Sequence, residues 1–302
     1  MVRRLWTAAA VVTAVLVGVA CSLTSDPTDV ELLPVDPDVL RVASFDFLES
    51  EVLGELLAQA LEGAGLQVER HLGLGSREML QPALQQGHVD VLPEYLAALL
   101  EFEKEGEVLP LDDADEVERL LAEDLADDGV TVLPHAPAVD RDGIAMRAAV
   151  ASELGIETVD DLAAHASELD FVGPPECPER PACLPRLEAR GVRFAHFTGL
   201  PAGLAIALAL RAGEADVGLM FTSDPLVEQH GLILLEDEHE PQRAENIVPL
   251  VRDEVMARHG DRIRAAFAQV MPKLTTQALR GLNRSASDGE PIPEVVREFL
   301  SR

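Results

Sequence analysis

The chain is short of positive charge, short of tyrosine and tryptophan, and without the local motifs that mark common enzyme classes. It carries 54 acidic against 24 basic side chains over 302 residues, a formal charge of −30, and Lys104 and Lys273 are its only lysines. Phosphate affinity comes from clustered lysine and arginine, so this balance excludes a nucleic-acid binder. The skew towards arginine reads as coding bias in a GC-rich genome rather than as a binding surface. No HExxH, GxSxG or GxxxxGK[ST] occurs, and the eight histidines are scattered. Zinc-peptidase, serine-hydrolase and P-loop chemistry therefore have no foothold, and no enzymatic activity, cofactor or metal is expected. What the chain does have is apolar material, 47% of its residues, enough to bury a core.

Long apolar runs are scarce too. The longest, residues 5–20, follows Arg3 and Arg4 and is shorter than the ~20 residues a membrane-spanning helix needs. It ends in Gly18-Val19-Ala20-Cys21, small residues and then a cysteine. Two readings fit: a cleaved signal peptide with an incidental cysteine, or a bacterial lipoprotein signal in which Cys21 becomes the acylated first residue. The small residues before Cys21 favour the second, which places the protein outside the cytoplasmic membrane, held there by lipid alone. Residues 1–20 are then the signal and 21–38, with Pro27, Pro34 and Pro37, a tether.

Of three cysteines, Cys177 and Cys183 remain as a pair with five residues between them. A metal site would need further ligands, and no histidine lies in the segment. In an oxidising compartment the pair is expected to form a disulfide that closes a small loop, stiffened by Pro178 and Pro181.

From residue 40 onwards strands and helices alternate. Strands are predicted at 40–44, 66–71 and 88–92, with helices at 50–64 and beyond Ser76 between them, the signature of a parallel α/β sheet. A helix at 114–126 and a strand at 130–133 precede residues 136–141, which look like a crossing to a second unit. There strands are predicted at 144–146, 170–172, 192–194, 217–220 and 232–235, and helices at 159–167, 204–212 and 224–229. Residues 246–251 form a second extended crossing, and 253–302 are helical with a turn at 289–293. The expected architecture is two-lobed α/β: 39–140 and 244–302 in one lobe, 141–243 in the other, hinged at two crossings.

Open α/β sheets bind ligands at the carboxyl ends of their parallel strands. Tyr95, the only tyrosine, follows the third predicted strand, and Phe221 follows the strand at 217–220, with Thr222 and Ser223 able to cap the next helix. Flat rings are the usual way to hold a cationic or amphiphilic solute. The alternative for Phe221 is core packing, whereas the Tyr95 hydroxyl calls for a partner.

The same segments carry a family resemblance. Ser44-Phe45-Asp46-Phe47, residues 53–61, Asp90-Val91-Leu92-Pro93-Glu94-Tyr95, Gly173-Pro174-Pro175-Glu176 with Arg180-Pro181, residues 213–217, Thr222-Ser223-Asp224-Pro225, residues 246–251 and residues 274–283 appear in order. Together they resemble the glycine betaine/choline-type substrate-binding proteins of ABC transporters, from about residue 40 to the end. The resemblance implies a type II periplasmic-binding-protein fold that closes on a small solute, a quaternary amine, and delivers it to a permease driven by a separate ATPase. It also implies a cage of aromatic rings with an arginine for a ligand carboxylate. Tyr95 and Phe221 match ring positions, and Arg180 matches the arginine, in the loop that Cys177 and Cys183 would clamp.

The departures lie at Asp142-Gly143, where the family has asparagine and a bulky residue, at residues 204–208, where only aliphatics stand in place of a ring, and at Ser50, near a frequent glutamine. Two rings of an expected four are then left. A carboxylate, Asp46 or Asp142, is expected to offset the loss by neutralising a cation, with Thr222 a further polar contact. Alternatives are a solute that is not a quaternary amine, or a lipoprotein of the same fold that senses its ligand rather than importing it.

Overall fold

The computed structural model describes residues 36–104, 112–237 and 243–302. The predicted signal sequence, Cys21 and nearly all of the predicted tether lie outside the described residues. The strands are β1 (Val39–Phe45), β2 (Gln67–Gly75), β3 (Val91–Tyr95), β4 (Val130–Val132), β5 (Asp142–Arg147), β6 (Asp170–Gly173), β7 (His196–Gly199), β8 (Val217–Phe221), β9 (Leu232–Leu234) and β10 (Ile247–Arg252). They make two five-stranded sheets, in the orders β2-β1-β3-β10-β4 and β7-β6-β8-β5-β9. Each has one antiparallel intruder: β10 runs against β3 and β4, and β5 against β8 and β9. Both intruders begin just after a crossing, so each sheet is completed by a strand arriving from the other.

The crossings lie side by side. Asp140 N–H donates to Glu245 O and Ile247 N–H to Ala138 O, both at 3.2 Å, and Val139 bridges Asn246. Short extended segments joining two sheets are where a hinge closure would concentrate its backbone change.

Helices α1 (Leu48–Gly63), α2 (Arg77–Gln85), α3 (Leu96–Glu103) and α4 (Ala114–Leu125) accompany the first sheet. Helices α5 (Ala148–Leu154), α6 (Leu184–Ala189), α7 (Leu204–Ala212) and α8 (Leu226–Gln229) accompany the second. The chain ends in α9 (Asp253–Val270), α10 (Thr276–Ser287) and α11 (Ile292–Leu300), and α1 packs against all three. The first sheet shares one continuous core, while the second is buried on both faces: Phe171 packs on one side and its neighbour Val172 on the other. That follows from the two-residue period of a strand.

Four predicted elements differ from those observed. Residues 246–251, expected as the second crossing, are almost wholly β10 of the first sheet, and the crossing lies just before them. The third strand begins at Val91 and runs on to Tyr95, through Pro93, which faces Pro249 across the β3–β10 pair. The strand predicted at 192–194 forms instead at His196–Gly199. Residues 159–167 fold as two short 3₁₀ turns, Asp160–Ala164 and Ala166–Glu168, rather than one helix. The C-terminal helical region carries an additional break at Met271–Lys273, where Pro272 lacks the N–H a continuing helix needs.

Candidate functional site

A cleft of about 640 Å³ is lined by residues from both sheets and their loops. The carboxyl ends of β1, β3 and β8 deliver aromatic rings to it. Phe45 ends β1, and Phe47 stands at the N-cap of α1 in extended conformation (φ −135°, ψ 153°). Phe47 lies 6.0 Å from Phe45, 6.4 Å from Tyr95 and 5.0 Å from Phe221, centroid to centroid. These separations are those of interacting ring pairs. The Arg77 guanidinium lies 5.7 Å from the centre of the Phe45 ring.

The wall thus holds more rings than the expected two. Phe47 stands between the predicted Tyr95 and Phe221 with Phe45 beside it, and Phe102 lines the cleft as well. The missed pair was visible in Ser44-Phe45-Asp46-Phe47, where alternate aromatics at a strand end share a face, a pattern that also reads as core. No ring comes from 204–208, where Leu204 and Leu208 are exposed.

Tyr95 is buried, and its hydroxyl donates to Glu49 Oε1 at 2.8 Å. Burial and then the Glu49 charge push its ionisation well above that of free tyrosine, so it stays a neutral donor. Glu49 is a hub: Asn283 Nδ2 donates to its Oε2 at 2.6 Å, and the Ser223 hydroxyl donates to the same oxygen. Asn283 and Glu49 sit on α10 and α1, beside the first sheet, and Ser223 follows β8 in the second, so these bonds tie the two halves together behind the rings. Asp140, on the first crossing, accepts from Ser223 N–H at 2.9 Å. Its burial, reinforced by the Glu49 charge, pushes its carboxyl well above the ordinary range.

The remaining predicted residues divide. Asp142 and Asp46 both line the cleft. Asp142 pairs with Phe221 across β5 and β8, and among the described residues no hydrogen bond is made to its carboxylate. Enclosure pushes the Asp142 carboxyl up, against the pull of Arg180, Arg186, Arg243 and Arg77. Asp46 is exposed at the cleft edge. Thr222 is not part of the lining: its hydroxyl accepts from Arg141 N–H at 3.0 Å and donates to Asp140 at 3.2 Å, and so braces the crossing.

Cys177 and Cys183 are joined in a buried disulfide. Within the loop it closes, Arg180 N–H donates to Glu176 O at 3.1 Å and Cys183 N–H to Arg180 O at 3.0 Å, which fixes where Arg180 emerges. Among the described residues no group of His, Cys, Asp and Glu is placed to hold a metal ion, and no helix is long and apolar enough to cross a membrane.

Two α/β sheets joined by paired crossings, with a ring-lined cleft between them, define a two-lobed solute-binding protein. The chain belongs to the family described as the substrate binding domain of ABC-type glycine betaine transport systems, whose profile matches residues 38–302. It is 28% identical over 277 residues to the glycine-betaine-binding protein of Pseudomonas aeruginosa, covering 87% of each chain. It is 24% identical over 278 residues to the carnitine transport binding protein OpuCC of Listeria monocytogenes, covering 88% of this chain and 87% of that one. In fold it matches the crystal structure of a glycine betaine/carnitine/choline ABC transporter protein, with a TM-score of 0.65 at 19% identity over 87% of this chain and 97% of that one.

Proposed function

We propose that the protein is the extracytoplasmic receptor of an ABC importer for a quaternary amine such as choline or glycine betaine. The observation that carries this is the ring wall of Phe47, Tyr95 and Phe221 with the carboxylates of Asp142 and Asp46 at its edge. A quaternary ammonium cannot donate hydrogen bonds and is attracted by ring faces at ~0.5–2 kcal/mol each, more when water is excluded. Here Tyr95 serves as a ring, its hydroxyl being spent on Glu49. Ligand seated against both sheets favours the closed arrangement of the lobes by its differential contacts to it. A permease and a separate ATPase take the solute onward. The basic start, apolar run and Cys21 support attachment through lipid at that cysteine.

The test is a thermal-shift screen of the chain from Ser22 with choline, glycine betaine, carnitine, proline betaine, ectoine and basic amino acids. A ligand that binds only the folded state adds about 2.7 kcal/mol of stability at 100 times its Kd. A rise in Tm with a quaternary amine is expected. A rise with a basic amino acid alone would overturn the reading.

A further inference from the structure

Arg180 holds a position from which it could receive a ligand carboxylate, yet its guanidinium is already engaged. Its Nε and Nη2 donate to the two carboxylate oxygens of Glu78 at 3.1 and 3.0 Å, and Nη2 also reaches Glu176 at 3.0 Å. Glu78 lies in the first turn of α2, beside the first sheet, while Arg180 belongs to the disulfide loop beside the second, so the pair spans the cleft. Two parallel N–H···O bonds to one carboxylate are the fork geometry by which an arginine would recognise a carboxylate ligand. Glu78 fills that fork from within the protein. Partial burial works against its charged form, but hydrogen bonds from Arg180 and Ser76 prevail and hold its carboxyl at about 2. The pair is therefore ionised at any pH a cell envelope meets.

Three of the other four arginines that line the cleft also pair with carboxylates, Arg186 with Asp237 at 3.6 Å among them, while Arg141 donates to the Arg243 carbonyl at 3.4 Å. Arg243 bonds Glu101 and Glu245, and Arg77 makes two bonds of 2.7 Å to buried Glu94. On the acidic side, Asp142 accepts no hydrogen bond among the described residues, and exposed Asp46 lies at the edge. What suits a cation is open, and of the cleft's arginines all but Arg141 are held by carboxylates. A third carboxylate brought against Arg180 would meet one positive charge already shared by two negative ones.

Building on the quaternary-amine reading, we infer that Glu78 is a specificity-determining residue: by occupying Arg180 it makes the cleft select carboxylate-free cations of the choline type over zwitterionic betaines. The experiment is calorimetric titration of the wild-type protein and of Glu78→Gln with choline and with glycine betaine. The affinity ratio of the two ligands is the readout, because any change in lobe closure shared by both cancels from it. The wild type is expected to bind choline at least tenfold more tightly than glycine betaine. Glu78→Gln should improve glycine betaine at least tenfold relative to choline. Glu176→Gln, which removes one bond and leaves the fork intact, should move the ratio less than threefold. A wild type that prefers glycine betaine, or a ratio unchanged in Glu78→Gln, would overturn the inference while leaving the quaternary-amine reading intact. Failure of the wild type to bind either ligand would sink both.

Discussion

Phe47 occupies a place that helix chemistry reserves for another kind of residue. Helix N-caps favour serine, threonine, aspartate or asparagine, whose side chains satisfy a free N–H at a gain of ~1 kcal/mol. Phe47 makes no such bond, and Glu49 and Glu51 in the first turn recover part of the loss through the helix dipole. In exchange its ring joins Tyr95 to Phe221. Phe47→Ala is expected to weaken a quaternary amine about tenfold, the ~1.4 kcal/mol within the range of one cation–π contact. Calorimetric titration checks it, and a loss below twofold would remove Phe47 from the wall. Tyr95 and Phe221 were legible in the sequence because each follows an apolar strand of the expected sheet. Phe47 was legible as one of an alternating pair but not as a cleft ring, since nothing local distinguishes a ring facing a cleft from a ring facing a core. Glu49 was equally hidden: its partners Asn283 and Ser223 lie 234 and 174 residues away.

At the scale of elements, α1 approaches β1 closely enough that a side chain at Gly54 would crowd both. A Cβ there would stand 2.7 Å from Leu72, 3.1 Å from the Ser44 Cβ and 3.3 Å from the Ala43 carbonyl. Gly54→Ala gains up to ~1 kcal/mol of helix propensity. Overpacking costs ~1–3 kcal/mol, and here part of the obstacle is backbone that cannot rotate away. Net destabilisation is expected in urea unfolding, together with weaker ligand binding, because the same helix carries Glu49; a more stable variant would contradict the packing argument. Elements with a buried face were read nearly to the residue, as with α7 at Leu204–Ala212. Edge strand β7 was misplaced because it is mostly exposed, while Val192 and Phe194 just before it pack against the core. Hydrophobicity reports burial, and at a sheet edge burial and strand part company. The third strand runs on through Pro93 to Tyr95, although a proline ordinarily argues against a central strand.

For the whole molecule, acids behind the ring wall and ion pairs around it impose opposite pH dependences. Asp224 is pushed up to about 6, by burial and then the Glu49 charge, despite a bond from Leu226 N–H. A carboxyl raised in the folded state contributes stability that is present below its unfolded value near 3.8 and lost as pH rises through about 6. Asp140 acts in the same sense, and at full size the Asp224 shift is worth about 3 kcal/mol. Glu78 acts oppositely: its stabilisation is present above 4.5 and lost as pH falls towards 2. On these groups stability should therefore peak at pH ~4 and already be declining at pH 5. Urea unfolding at pH 5 and 7.5 should show the decline, and Asp224→Asn should flatten it; an equally steep decline in the variant would exclude Asp224 as its source. Self-repulsion of a chain of net charge −30 adds to the loss at higher pH, and that part should fade with salt.

The exchange of strands between the sheets also sets an order in time. Every strand of the second sheet lies between Asp142 and Leu234, whereas the first has four strands before residue 133 and lacks β10 until Ile247–Arg252 is delivered. A chain emerging from its N-terminus can complete its second sheet while the first still has a gap between β3 and β4. The half made first is finished last, and until then it holds open two edges where any strand could pair. For a chain exported as proposed, that order favours staying unfolded until its last strand has crossed.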